Sequence, residues 1–173
     1  RIPSETARTE TMTAWTEHLA RMGATLDETA RSIAFASPAD EARATETATI
    51  AVPLLHLGTI RSQGPDSAAF LHNLVSNDVK HMEADTAAWN SFNSPKGRMI
   101  ASFLVWTEEG GHALALSADI LPAFLKKFSM YVLRSKVKLA DASAEVALIG
   151  LAGPQAVAIA QAAGAALPAE DMR

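Results

Sequence analysis

Two stretches of this 173-residue chain share one layout. LHLGTIRSQGPDSAAFL and EVALIGLAGPQAVAI each run from an apolar strand-like segment, through Gly-Pro, into a helix start built of small residues. The dipeptides Gly64-Pro65 and Gly153-Pro154 stand 89 positions apart. Proline suits a first helical position because its missing N–H would be unpaired there in any case. Between the two dipeptides, the apolar spacing predicts strand, helix, three strands, helix, strand. That order makes an α+β unit of the split βαβ, ferredoxin-like kind, followed by the start of a second copy. Gly-Pro opens many helices, so chance is the competing explanation. Strand and helix agree as well as the dipeptide, which favours duplication.

The elements follow from local signals. Residues 14–24 carry Trp15, Leu19 and Met22 at helical spacing, with Gly23 as a stop. A mobile connector is expected over 25–47. Residues 49–64 read as a strand interrupted by Pro53, which cannot donate to a ladder. Ser67, Phe70, Leu71 and Leu74 then mark one face of a helix that Ser76-Asn77-Asp78 ends. Strands are expected at 89–94, 98–106 and 111–117, the last two joined by a Glu-Glu-Gly-Gly turn. Asp119 is expected to cap a helix reaching Tyr131, with Leu121, Phe124, Leu125 and Phe128 toward the core. Strands at 136–141 and 145–153 precede an Ala-rich helix ended by Gly164. The domain reading is 1–47 for the N-terminal helix and connector, 48–144 for the first α+β unit, and 145–173 for the truncated start of the second.

Composition narrows the chemistry. The net charge of −4 argues against a general nucleic-acid binder. There is no cysteine, so disulfides, thiol catalysis and cysteine-held metals or clusters are excluded within these residues. No apolar run has the length of a membrane span. The first eleven residues, RIPSETARTET, lack the apolar core of a signal peptide. The expected compartment is the cytoplasm, with no membrane partner. Walker A, G-x-G-x-x-G, G-x-S-x-G and H-E-x-x-H motifs are absent. The histidines, His18, His56, His72, His81 and His112, show no metal-ligand spacing and read as surface or half-buried. Glu108-Glu109 reads as a solvated pair in a turn.

Two basic features remain. Lys96-Gly97-Arg98 follows Ser94-Pro95 in a turn where glycine lets N–H groups converge and cations offer charge-assisted bonds to carboxylate or phosphate. From spacing alone, a hairpin corner with two solvated cations is the better reading. Arg134, Lys136 and Lys138 alternate in LRSKVKL, so on a strand they would share one face, suited to an anionic ligand or RNA. A solvated outer face is the plainer reading. Trp89 and Trp106 flank the first turn and would make an aromatic wall for a flat ligand, or fill core.

FLHNLVSNDVKHM, FNSPKGRMIASFLVW, FSMYVLRSKVKLADAS and VALIGLAGPQA, in this order over about residues 48–160, resemble the N-terminal half of YgfZ-type folate-binding proteins. These are relatives of the glycine-cleavage aminomethyltransferase, the T-protein. The resemblance implies the aminomethyltransferase folate-binding fold, with split βαβ units duplicated around a central hole and a further small barrel-like domain. It makes 48–144 the first folate-binding unit and tetrahydrofolate the implied cofactor. Its implied partners are folate and iron-sulfur enzyme clients, whose assembly or repair it serves, with an indirect effect on tRNA modification. The T-protein's glycine-rich turn and following aspartate pair are replaced here by Lys96-Gly97-Arg98 and by Ala101-Ser102. No catalytic residue or metal ligand is assigned. The family's Lys-Gly-Cys-Tyr-x-Gly-Gln-Glu motif, from the C-terminal half, is not among these residues. Lys96, Gly97, Arg98, Arg134 and Lys136 are the candidate folate-binding residues, chosen on charge and position. The alternatives are a tetrahydrofolate-dependent aminomethyl or methyl transferase, and an RNA-binding module using 134–138.

Overall fold

The computed structural model describes residues 14–27 and 31–165, so the polar leader at 1–11 lies outside them. Two compact units divide at His56/Leu57 and Ser143/Ala144. The flanking unit opens with α1 (Ala14–Arg21), the paired strands β1 (Thr25–Leu26) and β2 (Ile33–Ala34), α2 (Pro38–Thr47) and β3 (Ile50–Pro53). α1 buries Thr16 and Leu19, while Met22 lies past its end and is exposed. The N–H of Gly23 donates to Ala20 O and that of Ala24 to Leu19 O, which satisfies the last carbonyls.

The expected connector, whose helical content the sequence leaves open, contains α2. This helix buries no residue, so no apolar period announces it. Its signal lies at the start: Ser37 accepts the Asp40 N–H, Pro38 sits in the first turn, and Asp40 and Glu41 complement the helix dipole.

The expected strand over 49–64 is two strands, because β3 ends at Pro53 and the chain turns at 55–56. The larger unit then runs β4 (Leu57–Gln63), α3 (Ser67–His72), β5 (Ala87–Asn93), β6 (Met99–Glu108), β7 (Gly111–Ser117), α4 (Leu121–Ser129) and β8 (Lys138–Asp141). This is the expected strand, helix, three strands, helix, strand. All five strands join one antiparallel sheet in the order β5-β6-β7-β4-β8. Inward side chains of the sheet, among them Ile60, Phe92, Phe103, Val105 and Leu114, pack against Phe70 and Leu71 of α3 and Leu121, Phe124 and Phe128 of α4. α4 is capped at Ile120 without a side-chain bond, not by Asp119, and Pro65 lies in the turn before Asp66, the residue that precedes α3.

Register fixes what shares an end. Leu57 faces Ser117 at one end of the central pair, and Gln63 faces Gly111 and Lys138 at the other. The ends are roughly 20 Å apart at about 3.3 Å per strand residue. The β5–β6 turn lies past the Ser91/Ser102 pair, on the Leu57 side, and the loop entering β8 lies on the Gln63 side. The free edge of β5 is covered by Val75–Asn77. Val75 bridges Phe92, Ser76 N–H donates to Ser91 O, and Asn77 N–H donates to Asn90 Oδ1. A covered edge offers no unpaired row to another chain.

The flanking unit closes with β9 (Ile149–Ala152), antiparallel to β3, and α5 (Ala156–Ala162), which ends at Gly164 as expected. Here the two Gly-Pro sites become physically equivalent. Gly64 has φ +128, and a Cβ there would lie 2.2 Å from Lys136 O, just before β8. Gly153 has φ +111, and a Cβ there would lie 2.6 Å from Ala48 O, just before β3. In both units an antiparallel partner strand closes on the turn where only a hydrogen leaves room. In both, the glycine carbonyl accepts the N–H three residues on, at Ser67 and at Ala156. Among the described residues no helix is long and apolar enough to cross a membrane.

Candidate functional site

The face of the larger sheet opposite the helices is assembled by cross-strand rows. Trp89 stands opposite Leu104, Ser91 opposite Ser102, and Ala87 opposite Trp106, so both tryptophans share this face. Trp89 is 56% exposed. Its carbonyl accepts a bond from Asn77 Nδ2, and the neighbouring Asn90, on the inward side, holds Asn77 N–H at 2.8 Å. The strand beneath Trp89 is therefore fixed by the Val75–Asn77 cover. Asn90 Nδ2 is buried without a partner.

Lys96, Gly97 and Arg98 lie in the β5–β6 turn at the end of this face, all exposed. The turn is a hairpin corner in its backbone. Gly97 N–H donates to Ser94 O at 2.9 Å, Arg98 N–H to Ser94 Oγ at 3.1 Å, and Ser94 N–H to Arg98 O at 2.7 Å. Gly97, at φ +75, supplies the left-handed residue that such a loop requires. Two of the N–H groups expected to converge on an anion are thus spent within the turn, and what the turn presents outward is the Lys96 and Arg98 side chains. At the positions aligned with the aspartate pair, Ala101 is buried in the core and Ser102 is exposed beside Ser91. Neither can offer a carboxylate.

Arg134 and Lys136 do not join this group. They occupy the loop before β8, at the far end of the sheet, and only Lys138 of the expected basic strand is in a strand. The alternation at 134–138 is therefore not a strand face: the chain turns through Leu133–Ser135, and β8 begins only at Lys138.

Three other polar arrangements were not legible as such. Glu108 is part of β6 and pairs with Arg61 Nε at 2.9 Å across the sheet, so it is not a solvated turn residue. Asp78 accepts from His81, with Nδ1 at 2.7 Å, and His72 Nδ1 lies 3.1 Å from its other oxygen without the alignment of a hydrogen bond. The hydrogen bond from His81 holds the Asp78 carboxyl below its ordinary value. Among the described residues no group of three or more such side chains is disposed to hold a metal. His56 lies in the turn after β3.

His112, expected at the surface or half-buried, is buried. Its Nδ1 is 2.9 Å from Ser67 Oγ, and Ser67 Oγ lies 2.8 Å from both Ser62 Oγ and Ser62 O. The alternation of GHALALS placed His112 inward with Leu114 and Leu116, and that was the available signal. Burial pushes its pKa below the ordinary 6.5. A depressed histidine binds fewer protons folded than unfolded, so stability rises with pH through the window below 6.5. The urea midpoint is therefore expected to fall as pH drops from 7 toward 5, with a shallower fall in His112→Gln. Equal slopes in the two proteins would remove His112 as the cause.

Comparison with known proteins agrees with this fold. A family model described as the GCVT N-terminal domain matches residues 5–173. An aminomethyltransferase from Shouchella clausii is 29% identical over 61% of this chain and 29% of its own length. An iron-sulfur cluster assembly factor homolog, mitochondrial, from Mycosarcoma maydis is 35% identical over 52% of this chain and 26% of its own. A tRNA-modifying protein YgfZ from Vibrio vulnificus is 30% identical over 62% of this chain and 33% of its own. The chain thus spans about a third or less of the length of these relatives. Among solved structures, the glycine cleavage system aminomethyltransferase T from Bartonella henselae superposes with a TM-score of 0.57 at 17% identity, over 68% of this chain and 32% of that one, which is a likeness of fold. With the family model covering nearly every residue, the chain belongs to the GCVT N-terminal domain family, as a protein related to the YgfZ-type and aminomethyltransferase members.

Proposed function

We propose that this chain is a tetrahydrofolate-binding accessory protein for the assembly or repair of iron-sulfur enzymes in the cytoplasm, with an indirect effect on tRNA modification. The observation that carries the reading is Trp89, a ring 56% exposed on a rigid strand, in the same β5–β6 hairpin as the Lys96–Arg98 turn. An exposed indole suits a flat pterin by stacking, and two outward cations suit an anionic glutamate tail. Gly97 serves by shaping the turn. Lys136 precedes the Gln63–Lys138 row, at the end of the sheet opposite the turn, and Arg134 and Lys136 are not assigned to the same ligand. Ala101 and Ser102 favour binding over aminomethyl transfer, since neither supplies a base or a stabilising carboxylate. The Mycosarcoma relative, an iron-sulfur cluster assembly factor homolog, and the Vibrio relative, a tRNA-modifying protein, support the iron-sulfur and tRNA parts of the reading.

Titration with tetrahydrofolate is expected to quench tryptophan fluorescence saturably, and Trp89→Phe to remove most of the quench. Lys96→Ala with Arg98→Ala is expected to weaken binding about tenfold, the effect of two exposed charge-assisted contacts. Absence of saturable quenching in the unsubstituted chain, or full quenching in Trp89→Phe, would overturn the proposal.

A further inference from the structure

The loop between α4 and β8 has a conformation that folding alone does not reward. Leu133 has φ +43, in the left-handed region that bulky side chains avoid, and it is 88% exposed. Met130 is 64% exposed and Tyr131 38%. The loop is nevertheless held firmly. Tyr131 N–H donates to Phe128 O and Ser135 N–H to Val132 O, and Lys136 N–H donates to Asp66 Oδ2 at 2.6 Å. The Tyr131 ring packs edge-on to Phe92 at 5.5 Å. A rigid scaffold thus presents an aliphatic side chain to solvent in a strained backbone.

Charge accompanies shape. From Leu121 to Lys138 the sequence holds Lys126, Lys127, Arg134, Lys136 and Lys138 and no acidic residue, in a chain of net charge −4. An open groove of about 700 Å³ runs beside the knob, lined by Asp66, Tyr131, Leu133, Arg134 and Ser135. The one carboxylate in that lining, Asp66, is engaged by the Lys136 N–H.

We propose that this knob and groove form a docking site for a protein partner, taking an extended acidic segment that also carries an apolar side chain. The apolar group would seat against Tyr131 and Leu133, and flanking carboxylates would meet Arg134 and Lys136. A nucleic acid would use the cations and stack on Tyr131 but would leave Leu133 in water, so the exposed leucine favours protein. Tyr131 packs on the inward side of β5, the face opposite Trp89, and the site does not rest on the folate reading.

The test uses the full chain and short fluorescein-labelled peptides, read by anisotropy. One peptide alternates glutamate with leucine and phenylalanine, a second replaces the apolar residues with serine, and labelled tRNA is a third probe. The acidic apolar peptide is expected to bind, and the serine version to bind about tenfold more weakly or worse. Leu133→Asn and Arg134→Ala are each expected to cost about tenfold in affinity for the first peptide. Asparagine tolerates the left-handed region, so Leu133→Asn should keep or raise the thermal midpoint, by about 2–4 °C where the strain is fully relieved. Binding lost without loss of stability separates docking from a structural role. No binding of the acidic apolar peptide, unchanged binding in Leu133→Asn, or equal or tighter binding of the serine peptide or the tRNA would each overturn the proposal.

Discussion

Phe128→Ala is expected to lower stability by about 4 kcal/mol, near the upper part of the range for deleting a buried aromatic ring. Phe128 is fully buried and joins three elements. Its ring meets Phe70 of α3 at 5.2 Å, Phe92 of β5 at 5.3 Å and Phe124 of α4 at 4.9 Å, the first two edge-on and the third stacked. Edge and stacked pairs add to the loss from burial alone. Both helices and the edge strand surround the site, so the cavity left by alanine has little freedom to collapse. Against a typical total of about 5–15 kcal/mol, that leaves a marginal fold. Urea unfolding of Phe128→Ala and Phe128→Leu checks it. Leucine should recover about half of the deficit, with an unchanged slope. A loss under about 1 kcal/mol for alanine would show that Phe128 does not hold the core together.

Gly64→Ala is expected to cost about 3 kcal/mol or more, although it adds a single methyl group. Two effects act together: a positive φ that L-residues resist, and a Cβ that would sit 2.2 Å from Lys136 O. Relief requires the backbone before β8 to retreat, which pulls Lys136 N–H from Asp66. Gly153→Ala should act in the same sense, through Ala48 O at 2.6 Å, but in the other unit. Hydrogen exchange distinguishes them. Gly64→Ala should lower protection in β4 and β8, and Gly153→Ala in β3 and β9. Indistinguishable protection maps would refute the local mechanism.

Much of the larger unit was legible because its elements obey a single period each. GHALALS alternates and is β7 to the residue, and Phe124 and Phe128 lie one helical turn apart and face the core. What escaped the sequence has specific causes. α2 buries nothing, so only its cap speaks for it. The alternation of Arg134, Lys136 and Lys138 looked like a strand face, but the chain turns through Leu133–Ser135 before β8 begins. Of the candidate site residues, the turn at 94–98 was placed correctly as a hairpin corner. Its separation from 134–136 was not legible, because register across five strands is a tertiary property. Trp89 was named for its ring, and its exposure became visible only once β5 had a face.

The pairing of β3 with β9 bears on the order of events during synthesis. β3 leaves the ribosome first, yet its partner follows about a hundred residues later, a separation that makes direct pairing slow. The larger unit lies between them, and its two ends meet: Thr59 N–H donates to Ser143 Oγ at 3.0 Å, and Ala142 N–H to Thr59 O at 2.8 Å. Once that unit has folded, the long loop between β3 and β9 is already closed, and the entropy of bringing them together has been met by its core. The β3–β9 pairing therefore follows the folding of the segment between them, and β3 must wait unpaired until that segment is complete.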